Sequence, residues 1–443
     1  MQWDFELAAG ILILLYAAVV ARQILTRGPS ISILFLVAGG AMVLFGILSP
    51  QAAFNSINFT IIAFLFSMFI FAVALDRAGV LSHLAGWLVT RGGNIENIHF
   101  YLFVGVGLIS AVVVNDALVL LGVPLILILS KRIGTSPVPL LLTMAFAVTV
   151  GSVMTPIGNP QNTLVALSGE ISFPFATFGE YLIVPTILNL ILGGWIMTKW
   201  FGPRLRADAT KKFGDTKFEP EPLFPAEPEE GWTKWIRANP SILVFPATLG
   251  VMVVSDVGAA LGRLPDEPIW AISLVGALLL LLVQPESKAL LDGVDWNTLA
   301  LFVGLFVVMG GVAAAGLFTT LGGVFPIPQA SQAGSQPVAI AAVMGSSLFG
   351  CQVLSNVPWV ALSIPLLTNL GYGIANPRIW MALAAGSTLS GNVTLLGAAS
   401  NLIIVNRAEK DGVKVGFVTF LKHGLPLTIL MFGVVFGCLL IGI

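Results

Sequence analysis

Charge is scarce in this sequence. Lys, Arg, Asp and Glu together make up 10% of its 443 residues, against about 25% in a soluble domain. That scarcity excludes a water-facing exterior, because a soluble fold must cover its surface with polar groups. The net charge of −1 lacks the basic excess that a nucleic-acid partner demands. Cysteine is nearly missing: Cys351 and Cys438 both lie in apolar segments, which argues against a disulfide framework or a thiolate zinc site. Three scattered histidines, His83, His99 and His423, form no metal constellation, so neither a metal nor a cofactor is expected. No basic n-region follows Met1. Asp4 and Glu6 stand there instead, and the segment reads as a first membrane helix rather than a cleaved signal.

What is abundant is apolar: 57% of the residues are hydrophobic and the mean hydropathy is +0.96. Lipid must be the outer solvent. A spanning helix takes about 20 apolar residues. We read ten crossings, at about 5–21, 31–48, 57–76, 138–167, 180–200, 240–258, 268–284, 295–314, 378–406 and 420–442. Two further apolar stretches, 98–130 and 336–370, are interrupted midway by Asn115-Asp116 and by Ser355-Asn356-Val357-Pro358. These read as re-entrant helical hairpins with polar tips. Such backbone is tolerated at membrane depth only where it is buried in protein or lines a cavity. The expected fold is all-α and polytopic.

The most polar segment, 202–239, holds Arg204, Arg206, Lys211, Lys212, Lys217, Lys234 and Arg237, with Glu219, Glu221, Glu227, Glu229 and Glu230 among prolines. It reads as a surface linker between a first half, 1–201, and a second half, 240–443. Placing this linker in the cytoplasm also puts Arg22/Arg27, Arg77/Arg91, Lys131/Arg132, Lys288 and Arg407/Lys410/Lys414 inside. Loops 49–56, 168–179 and 315–335, then outside, contain no Lys or Arg, as the positive-inside rule requires. Arg263 and Arg378 are exceptions. Both termini are expected outside a cell (inner) membrane.

The two halves resemble each other in three places. Phe59–Gly79 aligns with Trp296–Gly316 at an offset of 237, Asn115–Leu125 with Asn356–Leu366 at 241, and Thr155–Asn162 with Thr394–Asn401 at 239. The last pair repeats T-x-x-G-x-x-x-N. With five crossings and one hairpin each, the halves are expected to be inverted repeats. Paired broken helices in inverted repeats point to a secondary transporter's site near the midplane.

The chemistry should sit at the tips and breaks. Asn115 and Asp116 suit a helix N-cap, with a new helix expected from about Ala117; equally, the exposed N–H groups there could face a ligand. A carboxylate inside a membrane is a functional hypothesis by default, and Asp116 is the candidate for proton or cation coupling. Pro156, Gly158 and Pro160 must interrupt the helix over Thr155–Asn162, with helix resuming near Asn162. The equivalent Thr394–Asn401 has no proline, so a milder break is expected. Cys351 reads as core packing, Asp76-Arg77 as an interfacial pair, and Asp295 as a cap or surface residue. No Lys or Arg lies in either hairpin or break. That favours a neutral polar solute or a cation over a dianion.

The chain resembles the ion transporter superfamily through VVVNDALVLLGVPLILILSKRIG (112–134), GSVMTPIGNPQNTLV (151–165), SNVPWVALSIPLL (355–367) and GSTLSGNVTLLGAASNLIIV (386–405). Its Asn-Asp tip and Thr-Pro-Ile-Gly loop look most like the arsenical-pump membrane proteins. The resemblance implies an elevator-type homodimer whose site is built from Asn115, Asp116, Thr155, Gly158, Asn159, Asn162, Ser355, Asn356, Thr394, Gly397 and Asn401. It implies arsenite or antimonite efflux by proton exchange, with a soluble ATPase as a further partner in that branch. Neither tip reads Ser-Asn-Thr, the pattern of the dicarboxylate branch. A sodium/proton antiporter, a sodium-coupled anion transporter and a gated channel stay open as alternatives.

Overall fold

The computed structural model describes residues 2–25, 29–80, 97–168, 171–213, 232–322, 326–332 and 336–443. Arg27, His83, Arg91, Lys217 and the Glu219–Glu230 stretch of the linker lie outside the described residues. Among those described, all regular structure is helical. The first half runs α1 (Gln2–Leu25), α2 (Ile31–Leu44), α3 (Pro50–Ser56), α4 (Phe59–Arg77), α5 (Ile98–Ser110), α6 (Asn115–Ile133), α7 (Pro137–Gly151), α8 (Pro160–Ser168) and α9 (Pro174–Phe213). The short α10 (Trp232–Ala238) leads into α11 (Ser241–Ala260), α12 (Ile269–Val283), α13 (Ser287–Asp292), α14 (Trp296–Ala314) and α15 (Leu317–Gly322). Then follow α16 (Gln336–Leu354), α17 (Asn356–Asn369), α18 (Pro377–Ser390), α19 (Ala399–Lys410) and α20 (Phe417–Ile441). Eight described helical stretches are long and apolar enough to cross a membrane.

Local chemistry places the helix starts. Side chains of Ser30, Ser49, Asn58 and Asp295 accept the orphan N–H groups at the heads of α2, α3, α4 and α14. Pro137 and Pro377 open α7 and α18, where a missing N–H is harmless. Arg378 donates to the Leu440 carbonyl (3.3 Å), a cation at the C-terminus of α20.

Several boundaries differ from the sequence reading. α6 begins at Asn115, not Ala117, and α8 at Pro160, not Asn162. α9 is 40 residues long and continues through 202–213, which composition assigns to the linker. At 1.5 Å per residue it spans about 60 Å, twice the hydrocarbon thickness of about 30 Å. Its charged tail is helical because Lys and Arg are good helix formers whose solvation does not oppose the backbone pattern. Arg77 pairs with Glu286 across the chain rather than with its neighbour Asp76, because adjacent helical residues do not face each other.

α2 packs along α14, and α4 lies on α12 and α11. α5 and α6 both lie along α7, and α16 and α17 both lie along α18. Two further pairs join the tips of one half to the other: α8 packs on α17, and α19 on α6. Each tip therefore meets the resumed helix of the opposite half.

Candidate functional site

The first break spans 152–159, a single 3-10 turn (Ser152–Met154) followed by Thr155 in an extended conformation and a run of turns and bends. Its freed carbonyls find side-chain donors. The Asn162 Nδ2 donates to the carbonyls of Ser152 (2.9 Å), Val153 (3.3 Å) and Thr155 (3.0 Å). Asn159 caps α8, its Oδ1 accepting the Asn162 N–H at 2.8 Å, while its Nδ2 donates to Ser152 Oγ at 3.0 Å. The Thr163 hydroxyl donates to the Pro156 carbonyl at 2.9 Å. A Cβ on Gly158 would stand 2.6 Å from the Ser152 oxygen, so only glycine lets the loop fold back.

The second break, 391–398, is as long as the first, and the expected mildness is overturned. Amides do there what proline does in the first half. Asn401 Nδ2 donates to the carbonyls of Gly391 (2.7 Å) and Thr394 (3.3 Å), ten and seven residues back. Asn162 reaches Ser152 and Thr155 over those same separations. Gln352 Nε2 donates to the Ser390 carbonyl (2.9 Å), and its Oε1 accepts the Thr394 hydroxyl (2.7 Å). A Cβ on Gly397 would crowd Gln352 and Ser390, each at 3.0 Å.

The tips close onto these breaks. Asn115 is 6% exposed. Its Oδ1 accepts the Ser110 hydroxyl at 2.8 Å, and its Nδ2 donates to Ser152 Oγ at 3.2 Å. The Thr155 hydroxyl donates to the Ala111 carbonyl. Neither Asn115 nor Asp116 caps α6: the cap position is Val114, whose side chain has no acceptor, and Asn115 is committed to the neighbouring break. Asn356, with its amide turned to suit its neighbours, donates to the carbonyls of Ser387 (3.2 Å) and Gly397 (2.5 Å) and accepts from Gln161 Nε2 (3.2 Å). Thr388 ties the halves together, donating to Asn162 Oδ1 at 3.1 Å and lying 3.3 Å from both Asn159 Nδ2 and Gln161 Nε2.

The fold thus brings Asn115, Thr155, Gly158, Asn159, Asn162, Asn356, Thr394, Gly397 and Asn401 into one region of amides, hydroxyls and bent backbone. Sequence reading missed Ser110, Ser152, Gln161, Gln352 and Thr388. The two glutamines carried a usable signal, since a polar amide inside an apolar stretch needs a partner. Cys351 packs as expected, fully buried with its Sγ 3.6 Å from the Ser387 carbonyl.

Ser355 is the only described non-glycine residue at positive φ (φ 68°, ψ 166°). L-residues avoid that conformation at a cost of about 1–3 kcal/mol. Ser355→Gly removes the strain but loosens the unfolded chain by about 0.5–1 kcal/mol. A net gain of about 1 kcal/mol is expected, read as a raised unfolding temperature in detergent; a lowered one contradicts it.

Asp116 stands apart from the amide network. Partly exposed in the first turn of α6, it lines a cavity of about 390 Å³ together with Phe69, Val73, Asp76, Arg77, Asp295 and Ile403.

Comparison with known proteins places this architecture. Residues 16–386 match the family described as citrate transporter, CitMHS. A 46 kDa membrane protein of Mycobacterium leprae is 24% identical over 85% of this chain and 84% of its own. An uncharacterized transporter of Mycobacterium tuberculosis is 27% identical over 89% of both chains, and the silicon efflux transporter LSI3 of Oryza sativa subsp. japonica 25% over 88% of both. The solved structure of the Alcanivorax borkumensis YdaH transporter shares the fold, with a TM-score of 0.52, 16% identity and coverage of 98% of this chain and 97% of that one. This is a multi-pass membrane protein and a secondary transporter, not an enzyme, and it belongs to the citrate transporter (CitMHS) family.

Proposed function

We propose that the chain exports a small neutral hydroxide, arsenite or antimonite, in exchange for protons, with Asp116 as the coupling group. One observation carries this reading. Every side chain in the hydrogen-bonded network that joins the tips to the breaks is an amide or a hydroxyl, Asp116 is the one carboxylate at a tip, and 98–130, 151–165, 336–370 and 386–405 contain no Lys or Arg. Such a lining recognises hydroxyls and offers a polyanion little. Only two cysteines exist and both are buried, so the solute would be held by weak, reversible hydrogen bonds rather than thiolate chelation. Dissolved silicon at neutral pH is also a neutral hydroxide, and the likeness to a silicon efflux transporter supports the same solute class.

In this reading 1–201 and 240–443 are inverted repeats of five crossings and one hairpin, joined by a cytoplasmic linker in the inner membrane. The crossed packing of α8 on α17 and α19 on α6 supports tips and breaks that move as one unit, an elevator, and the working form in this reading is a homodimer. A soluble ATPase would dock on the cytoplasmic face.

Proteoliposomes with imposed gradients test the proposal. Arsenite uptake driven by a pH gradient and indifferent to sodium is expected. Uptake driven by sodium alone refutes proton exchange. A second reading, sodium-coupled carboxylate transport, is favoured by the family's description. The buried oxygens of Asn392 and Asn401, which lack hydrogen-bond partners, also suit a cation. It predicts sodium-driven citrate uptake in the same vesicles.

A further inference from the structure

We infer that Asp295, at the head of α14, is a positioning residue for Asp116: its carboxylate, held in place by the helix cap, makes proton loading at the hairpin tip depend on where that tip stands. The inference rests on the reading of Asp116 as the coupling group and of the hairpins as moving against the remaining helices.

The cavity beside Asp116 has walls from two sides. Asp116, Leu120 and Leu121 of α6 and Ile403 of α19 come from the elements that hold the tips and breaks. Phe69, Ala72, Val73, Asp76 and Arg77 of α4, Ala289 of α13, Gly293, and Asp295 before α14 come from the remainder. Three carboxylates and one guanidinium face this space. The guanidinium is already committed, since Arg77 pairs with Glu286. Its remaining influence falls on Asp76, its neighbour in the chain, so Asp116 and Asp295 are the two carboxylates that meet with little compensation. A space of 390 Å³ is about 9 Å across if round, close to a Debye length in physiological salt, so their repulsion is poorly screened.

Asp295 is the carboxylate whose orientation is held. Its Oδ1 accepts the Thr298 N–H at 3.0 Å, and its Oδ2 accepts the Thr298 hydroxyl at 2.6 Å. It cannot turn away from the cavity without uncapping α14. Asp76, on the neighbouring helix end, makes no such bond among the described residues. While the tip stands here, the charge on Asp295 opposes a charge on Asp116 and favours the protonated acid. When the tip moves away the opposition ends, and the proton leaves Asp116 more readily. Position and protonation are thereby linked without any contact between the two residues.

The test is an infrared pH titration of the purified full-length protein, which needs no transported solute. The carboxylic-acid carbonyl band lost in Asp116→Asn reports Asp116. Asp295→Asn keeps the helix cap, because Asn caps as well as Asp, and removes the charge. The Asp116 band should then titrate at a pH lower by about one unit, and Asp295→Ser, another capping residue, should do the same. An unmoved midpoint in both variants overturns the role of Asp295 while leaving Asp116 as the coupling group. If Asp116→Asn removes no band, the coupling reading fails, and this inference with it. Asp76→Asn is expected to move the midpoint less than Asp295→Asn; a larger shift would transfer the role to Asp76.

Discussion

Asp116→Asn should leave a folded transporter on which a pH gradient does no work. Asn has nearly the shape of Asp and keeps a polar group in the first turn of α6. Asp116 makes no hydrogen bond in the amide network that closes the breaks, so the fold loses little. What the variant loses is a proton-accepting group. A gradient of one pH unit is worth about 1.4 kcal/mol per proton, enough to sustain about tenfold accumulation of solute for each proton exchanged. In Asp116→Asn that ratio should fall to one, while solute-for-solute exchange across the same vesicles persists. Steady-state arsenite accumulation against an imposed gradient measures it. Accumulation at the wild-type ratio would remove Asp116 from the coupling scheme.

Asn162→Ala should have the largest effect on stability. Asn162 is fully buried. Its amide serves the carbonyls of Ser152, Val153 and Thr155, and its oxygen accepts the Thr388 hydroxyl. Each buried group left unpaired costs about 1–3 kcal/mol, although polar contacts in membranes average nearer 0.6 kcal/mol. The Val153 and Thr155 carbonyls and the Thr388 hydroxyl donor lose their partner at once, while the Ser152 carbonyl keeps a 3.3 Å bond from Asn159 Nδ2, so a loss of about 2–3 kcal/mol is expected. Asn401→Ala is the internal comparison. That residue serves two carbonyls and its own oxygen is already unpaired, so about half the loss is expected. Thermal unfolding in detergent ranks the two, and an equal or reversed order would show that the first break is not held by its asparagine.

The contrast between these residues shows what could be read from the chain alone. The tips were legible because Asn-Asp and Ser-Asn-Val-Pro are conspicuous inside apolar runs. The first break was legible because two prolines forbid a continuous helix. The length of the second break was not, because its carbonyls are released to Asn401, Gln352 and Asn356, residues distributed over 50 positions. Propensity sees only neighbours. Thr388 was invisible for the same reason: a threonine in a buried helix ordinarily bonds the preceding turn, and its actual partners lie on the other half. The helical state of the tail of α9 was not legible, because charge and proline mark 202–239 as a linker and composition does not say whether a linker begins as helix. Asp295 was read correctly as a cap, but its view onto Asp116 depends on a tertiary cavity that no spacing encodes.

The bond between Thr388 and Asn162 also sets a timetable for synthesis. Its partners are 226 residues apart, and at about 5–20 residues per second this separates their emergence by tens of seconds. During that interval α8 is in the bilayer without α17 to cover it and without Thr388 to occupy its amide. The N-terminal half must wait, incompletely satisfied, for the C-terminal half to arrive. A fault that delays insertion of α16–α18 is then expected to prolong the exposure of residues that are themselves unaltered.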